Sequence, residues 1–160
     1  MLDNCQTARE RWGGVNELVD RWLDERKELL VIFCSLSGIK SFADNDDEYG
    51  PKIRRLCQLL VDYVSAGHFE VYEKLIQEGK QFDDTDGLKK AAELYQTIDG
   101  TTESLLDFND KYQEVDDLST LVNDLSTMGE TLAERFEAED AMIDVLHTAH
   151  QQLLEPEITK

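Results

Sequence analysis

Proline is nearly absent: Pro51 and Pro156 are the only two among 160 residues, so little in the sequence forces a helix to stop. Sustained alternation of apolar and polar residues is also missing, which leaves no strand pattern to compete with the helical ones. The three cysteines, Cys5, Cys34 and Cys57, are odd in number and lack the close pairing of zinc or dithiol sites, which argues against a disulfide scaffold. Cys34 and Cys57 stand among apolar neighbours and are expected to be small buried hydrophobes. No segment offers the ~18 consecutive apolar residues of a membrane span. The first residues show no basic stretch followed by an apolar one, so a cytoplasmic protein is expected.

Positive charge is scarce as well: 16 Lys and Arg face 35 Asp and Glu, a formal net charge of −19. Such a chain repels phosphate backbones and anionic lipid and attracts basic protein surfaces, so no direct nucleic-acid or membrane binding is expected. The imbalance is concentrated in one half. Residues 1–80 carry 11 basic and 15 acidic side chains, whereas residues 81–160 carry 5 and 20. Between Ala91 and Glu134 the one basic residue is Lys111, so the carboxylates there are solvated or matched by another molecule.

What the chain does have is helical periodicity, over a length suited to one core and one domain spanning residues 1–160. Val15, Leu18, Val19, Trp22, Leu23, Leu29, Leu30 and Phe33 mark a long first helix ending near Ser37 and Gly38, with Gly13 and Gly14 placed to kink or delay it. A polar connection over residues 41–51 leads to Pro51, which suits a first helical turn. Leu56, Leu59, Leu60, Tyr63 and Val64 define the next apolar stripe. Gly67 then reads as a joint to a further helix carrying Phe69, Tyr72, Leu75 and Ile76. After a second polar connection, residues 81–87, comes a helix with Ala91, Leu94, Tyr95, Ile98, Leu105, Phe108 and Tyr112, which Asp99-Gly100-Thr101 is placed to break.

The last helix carries a near-heptad stripe of Leu118, Val122, Leu125, Gly129, Leu132, Phe136, Glu139, Ile143 and Leu146. Glu139 takes an apolar register there, so its carboxylate must be paired, protonated or turned toward a groove. The expected fold is all-α: a single-domain antiparallel helical bundle with long first and last helices.

Catalytic chemistry finds no support. There is no glycine-rich phosphate loop and no nucleophile motif, so the chain does not read as an enzyme. Asp84-Thr85-Asp86-Gly87 fails as a calcium loop, because its first ligand position falls on Phe82; it reads as a turn and helix start. The repeated Glu-x-x-His of metal-holding bundles is absent, His147 and His150 read as surface histidines, and neither metal nor cofactor is expected. The densest polar cluster is the run 60–73, where Asp62, Tyr63, Ser65, His68, Tyr72 and Glu73 interrupt an apolar stripe. His68 is expected to join Glu139 or Asp140 in a network that Arg135 and Tyr72 complete. Trp22 belongs to the core stripe, while Trp12 suits packing or an interface.

Leu18-Val19-Asp20-Arg21-Trp22-Leu23 with Glu25-Arg26, the run 59–73, and Leu132-Ala133-Glu134-Arg135-Phe136-Glu137-Ala138-Glu139-Asp140 closely resemble the Rsd/AlgQ family of bacterial anti-sigma regulators. The resemblance covers nearly the whole chain. It implies a helical cytoplasmic protein that grips the C-terminal region of the primary sigma factor, the part that reads the promoter −35 element, and so reduces its use by core RNA polymerase. By the same resemblance, Asp62, Tyr63, Ser65, Gly67, His68, Phe69 and Tyr72 carry partner binding, with Arg21, Trp22, Arg26, Arg135, Glu139 and Asp140 as a supporting polar network. The other reading of the same acidic surface is a helical adaptor for a different basic regulatory partner. Oligomeric state is not legible.

Overall fold

A computed structural model describes residues 8–39, 42, 49–113 and 117–154. Cys5, Pro156 and most of the expected 41–51 connection lie outside the described residues. Among the described residues, six α-helices and two π turns join into four continuous rods. The first rod is α1, Ala8–Ser37. The second is α2, Gly50–Ala66, continuing through a π turn at Gly67–Val71 into α3, Tyr72–Gln81. The third is α4, Thr85–Tyr112. The fourth is α5, Leu121–Ile143, which a π turn at Asp144–Thr148 carries into α6, Ala149–Leu154.

Directions follow from cross-rod pairs. Trp12 meets His147 while Arg26 meets Asp140, so the first and fourth rods are antiparallel. Arg11 with Gln81 and Trp22 with Tyr63 set the first against the second, and Lys111 with Asp124 and Thr101 with Arg135 set the third against the fourth. The second and fourth rods rise together, since Tyr63 reaches Glu139 and Glu78 reaches His147. This is the up-and-down antiparallel bundle expected from the sequence.

Local chemistry explains the ends. Pro51 sits in the first turn of α2, where its missing N–H costs nothing. Asp83, at φ 53°, turns the chain out of α3 in the left-handed region. Asp84 then caps α4 by accepting the Gly87 N–H at 2.8 Å. The connection is therefore shorter than the expected 81–87.

Three expected interruptions do not occur: α1 runs through Gly13 and Gly14, α4 runs through Asp99-Gly100-Thr101, and the Gly67 joint is a wider helical turn without a break. A lone glycine costs a helix only about 1 kcal/mol, which an apolar face packed in a bundle offsets. At Gly67 the glycine serves close approach instead. A Cβ there would lie 2.9 Å from Cζ2 of Trp22 and 3.0 Å from the Tyr72 hydroxyl.

The buried stripe of α4 steps seven residues from Ala91 to Ile98 and then alternates steps of three and four through Thr101, Leu105, Phe108 and Tyr112. In the fourth rod the stripe is Leu121, Leu125, Met128, Leu132, Arg135, Glu139, Met142 and Leu146; it shares Leu125, Leu132, Glu139 and Leu146 with the expected stripe, and Ile143 is buried too, but Leu121, Met128 and Arg135 stand where Val122, Gly129 and Phe136 were expected. Val122 is exposed. Cys57 is buried, which pushes its thiol up to about 11, but Cys34 is exposed, against expectation.

Candidate functional site

Two polar clusters occupy the interior. The first centres on Glu139, whose Oε1 accepts from the Tyr63 hydroxyl at 2.6 Å and lies 3.4 Å from Nη2 of Arg26. Its Oε2 accepts from the Tyr72 hydroxyl and from Nε of Arg135 at 3.2 Å. Arg135, 1% exposed, also donates to the Ile98 carbonyl and to the Thr101, Thr102 and Tyr72 hydroxyls, which accounts for a guanidinium inside a bundle. Arg26 reaches outward, donating to Tyr63 Oη at 3.0 Å and Asp140 at 2.7 Å, with its plane 4.4 Å from the Phe136 ring centre. Burial holds Glu139 above the usual carboxylate range despite its cationic and phenolic partners, and burial beside that carboxylate holds the Tyr63 and Tyr72 phenols protonated.

This cluster fixes the groups around the π turn. Trp22 stacks on Tyr63 at 4.7 Å and donates its indole N–H to the Tyr63 carbonyl, while Tyr72 meets the edge of Trp22. Glu139 and, of the supporting set, Trp22, Arg26, Arg135 and Asp140 are therefore brought together. Arg21 is not in that network; it faces the surface near Glu25.

Several partner-binding expectations change. Tyr63 is fully buried and Tyr72 nearly so, so both serve the interior and offer a partner no free ring face. His68 does not reach Glu139 or Asp140. It is exposed, with Nδ1 3.3 Å from the Tyr95 hydroxyl, because the wider π turn swings it toward α4. Asp62, Ser65, His68 and Phe69 remain at or near the surface.

Phe69 is the outlier, 71% exposed on the π turn and edge-on to His68 at 4.9 Å. It borders two clefts. One, about 540 Å³, lies against α1 and is lined by Arg11, Leu18, Arg21, Glu70, Glu73 and Lys74 among others. The other, about 330 Å³, lies against α4, with Tyr72, Tyr95, Ile98 and Leu106 on its walls and Arg135 at its inner end. Beside the ridge, burial and the carboxylates of Asp62, Glu70 and Glu28 hold Glu25 above the usual carboxylate range, with Arg21 opposing. The site is thus an exposed aromatic ring with Glu70 and Glu73 and the cations Arg11, Arg21 and Lys74 on its α1 side, in a chain whose excess of carboxylates suits a basic surface that carries apolar side chains.

The family model that describes a regulator of the RNA polymerase sigma(70) subunit, Rsd/AlgQ, matches residues 1–147. The chain belongs to the Rsd/AlgQ family. The regulator of sigma D from Yersinia pseudotuberculosis serotype O:1b (strain IP 31758) is 36% identical, over 89% of this chain and 87% of that protein. The one from Enterobacter sp. (strain 638) is 38% identical over 89% and 88%, and the one from Salmonella paratyphi B (strain ATCC BAA-1250 / SPB7) 36% over 93% of each. Rsd/AlgQ proteins are described as regulators, in keeping with a binding protein that is not an enzyme.

The second interior cluster was missed from sequence. His147 and His150 are each 2% exposed and not surface residues as expected. Both place Nδ1 on the buried Glu78 carboxylate, at 2.8 and 3.0 Å. Nε2 of His147 meets Asn16, and Nε2 of His150 meets the capping Asp84 at 2.7 Å, which lowers the Asp84 carboxyl. Trp12 stacks on His147 at 4.3 Å and donates to its carbonyl, which settles that residue as packing. Among the described residues, no group of three or more His, Cys, Asp or Glu is arranged to hold a metal ion. Among them also, no helix is long and apolar enough to cross a membrane.

Proposed function

We propose that the chain is an anti-sigma regulator that binds the C-terminal, promoter-reading region of the bacterial primary sigma factor and lowers its use by core RNA polymerase. The family supplies the sigma factor, and the observation that supports the mode of binding is Phe69, an exposed ring whose sequence neighbour Glu70 crowds Glu25 together with Asp62. A region that reads DNA presents basic residues for phosphate, so an acidic surface competes for the same face. Net charge of −19 draws that region in, and burial of Phe69 with help from His68 and Ser65 holds it. The buried Glu139 cluster does not touch the partner; it keeps the π turn, and with it Phe69, in place. The cytoplasm, where the polymerase works, is the compartment that follows.

The test is calorimetric titration with the isolated C-terminal region of the primary sigma factor from the same bacterium, with an alternative sigma region as control. Selective, saturable binding that Phe69→Ala weakens about tenfold or more is the expected result, a loss typical of a central aromatic anchor. Absence of binding between two folded proteins would refute the proposal.

A further inference from the structure

The Phe69 ridge has α1 on one side and α4 on the other, and α4 carries features that the binding mode above does not use. Leu106 is a large apolar side chain left 39% exposed at the mouth of the 330 Å³ cleft, whose walls are Val64, Tyr72, Tyr95 and Ile98. On a helix, Asp99, Glu103 and Asp110 lie seven and three residues before Leu106 and four after it, so they share its face; Asp107 flanks it. All four carboxylates are exposed, and none makes an ion pair among the described residues. The nearest cation in sequence, Lys111, is turned to Asp124 at 2.8 Å. Like charges at these spacings oppose the helix that bears them, so the face gives up some helix stability.

We infer that this face of α4, with Leu106 and the cleft beneath it, is a second docking surface for the same partner, and that its occupant is a basic amphipathic helix inserting one large apolar side chain beside Phe69. The inference rests on the sigma-binding reading and extends it to a face that reading leaves empty. Charge selects the occupant. A second copy of the chain would bring another −19 to an acidic face, and nucleic acid or anionic lipid would be repelled as strongly. A helix suits the groove because residues of α2 and α4 line its two sides, and a third helix carrying apolar residues at three and four residue spacing fills such a groove. The two clefts then flank Phe69 as a wedge between two elements of one partner.

Two variants test this by surface plasmon resonance against the sigma C-terminal region, with helical content checked by circular dichroism. Leu106→Glu adds negative charge, so weaker binding cannot come from lost long-range attraction and reports the lost apolar contact together with desolvation of the new carboxylate; at least a tenfold loss, mostly in dissociation rate, is expected. The triple variant Asp99→Asn/Glu103→Gln/Asp110→Asn is expected to slow association several-fold at low salt, with the difference fading as salt rises. If both variants bind within twofold of the parent while Phe69→Ala weakens binding, the α4 surface is wrong and the sigma reading stands. If the parent itself does not bind, both fall.

Discussion

Replacing Glu139 by Gln keeps the side-chain volume and removes one charge. The carboxylate accepts from Tyr63, Tyr72 and Arg135 and lies near Arg26, all of them donors. An amide has one acceptor oxygen, and its NH2 group would face donors. The phenolic hydroxyls can turn to accept, and Arg26 keeps Asp140. Arg135 has no such recourse: it is 1% exposed, and its remaining partners, the Ile98 carbonyl and three hydroxyls, are neutral. Leaving one member of a buried pair uncompensated costs about 3–5 kcal/mol. For a domain of this size that lowers Tm by roughly 6–20 °C. Urea unfolding followed by tryptophan fluorescence measures it, since Trp22 stacks on Tyr63. The double variant Arg135→Met/Glu139→Gln is expected to fall short of the sum of the single losses by at least about 1 kcal/mol, because the stranded charge is gone. A Glu139→Gln loss below about 1 kcal/mol would refute the reasoning and mean that the carboxyl is already neutral in the fold.

The tyrosines give a pH dependence of defined sign. Folding raises Tyr63 and Tyr72 above their unfolded value of about 10, so the stability they contribute is full below that pH and is lost as pH rises above it. Alkaline titration of phenolate absorbance should show these two rings ionising only as the chain unfolds; ionisation in the folded state would refute the assignment. Gly67→Ala places a Cβ 2.9 Å from Trp22 and should cost about 1–3 kcal/mol in denaturant unfolding. His150→Ala removes the hydrogen-bond partner of Glu78 and Asp84 and should cost about 1–3 kcal/mol, read as earlier thermal loss of helix by circular dichroism.

The bundle was legible because steps of three and four leave few alternatives, and Glu139 was legible because a carboxylate in an apolar register needs partners wherever it sits. In the fourth rod alternate positions of the stripe were misplaced by one residue. Reading Val122, Gly129 and Phe136 as interior missed Leu121 and Met128, whereas Arg135 and Glu139, expected in one polar network, are buried as a matched pair. A pattern scored on hydrophobicity alone penalises the register that takes in Arg135. The glycines misled in the opposite direction, because isolated propensity says little about a helix whose neighbours hold it.

The histidines were misread by their chemistry rather than by their spacing, while the π turns beside them bear on function. A π turn spends more residues per revolution than an α turn, so residues adjacent in sequence can both face inward after it. Val71 and Tyr72 do so at the first π turn, and Leu146 and His147 at the second. His147 lies four residues after Ile143 and His150 four after Leu146, so both fall on the buried side by ordinary helical spacing; they read as surface residues because they are polar and no ligand motif claimed them. The same widening at Gly67–Val71 lets Tyr72 enter the Glu139 cluster while Phe69, three residues earlier, is turned out. Removing one residue from that turn would restore α periodicity at the price of one of these positions. Deletion of Val71, which keeps every proposed contact residue, should therefore lower stability and sigma binding together, whereas Phe69→Ala should lower binding alone. If the deletion variant binds normally, the π turn is packing geometry with no part in presenting Phe69.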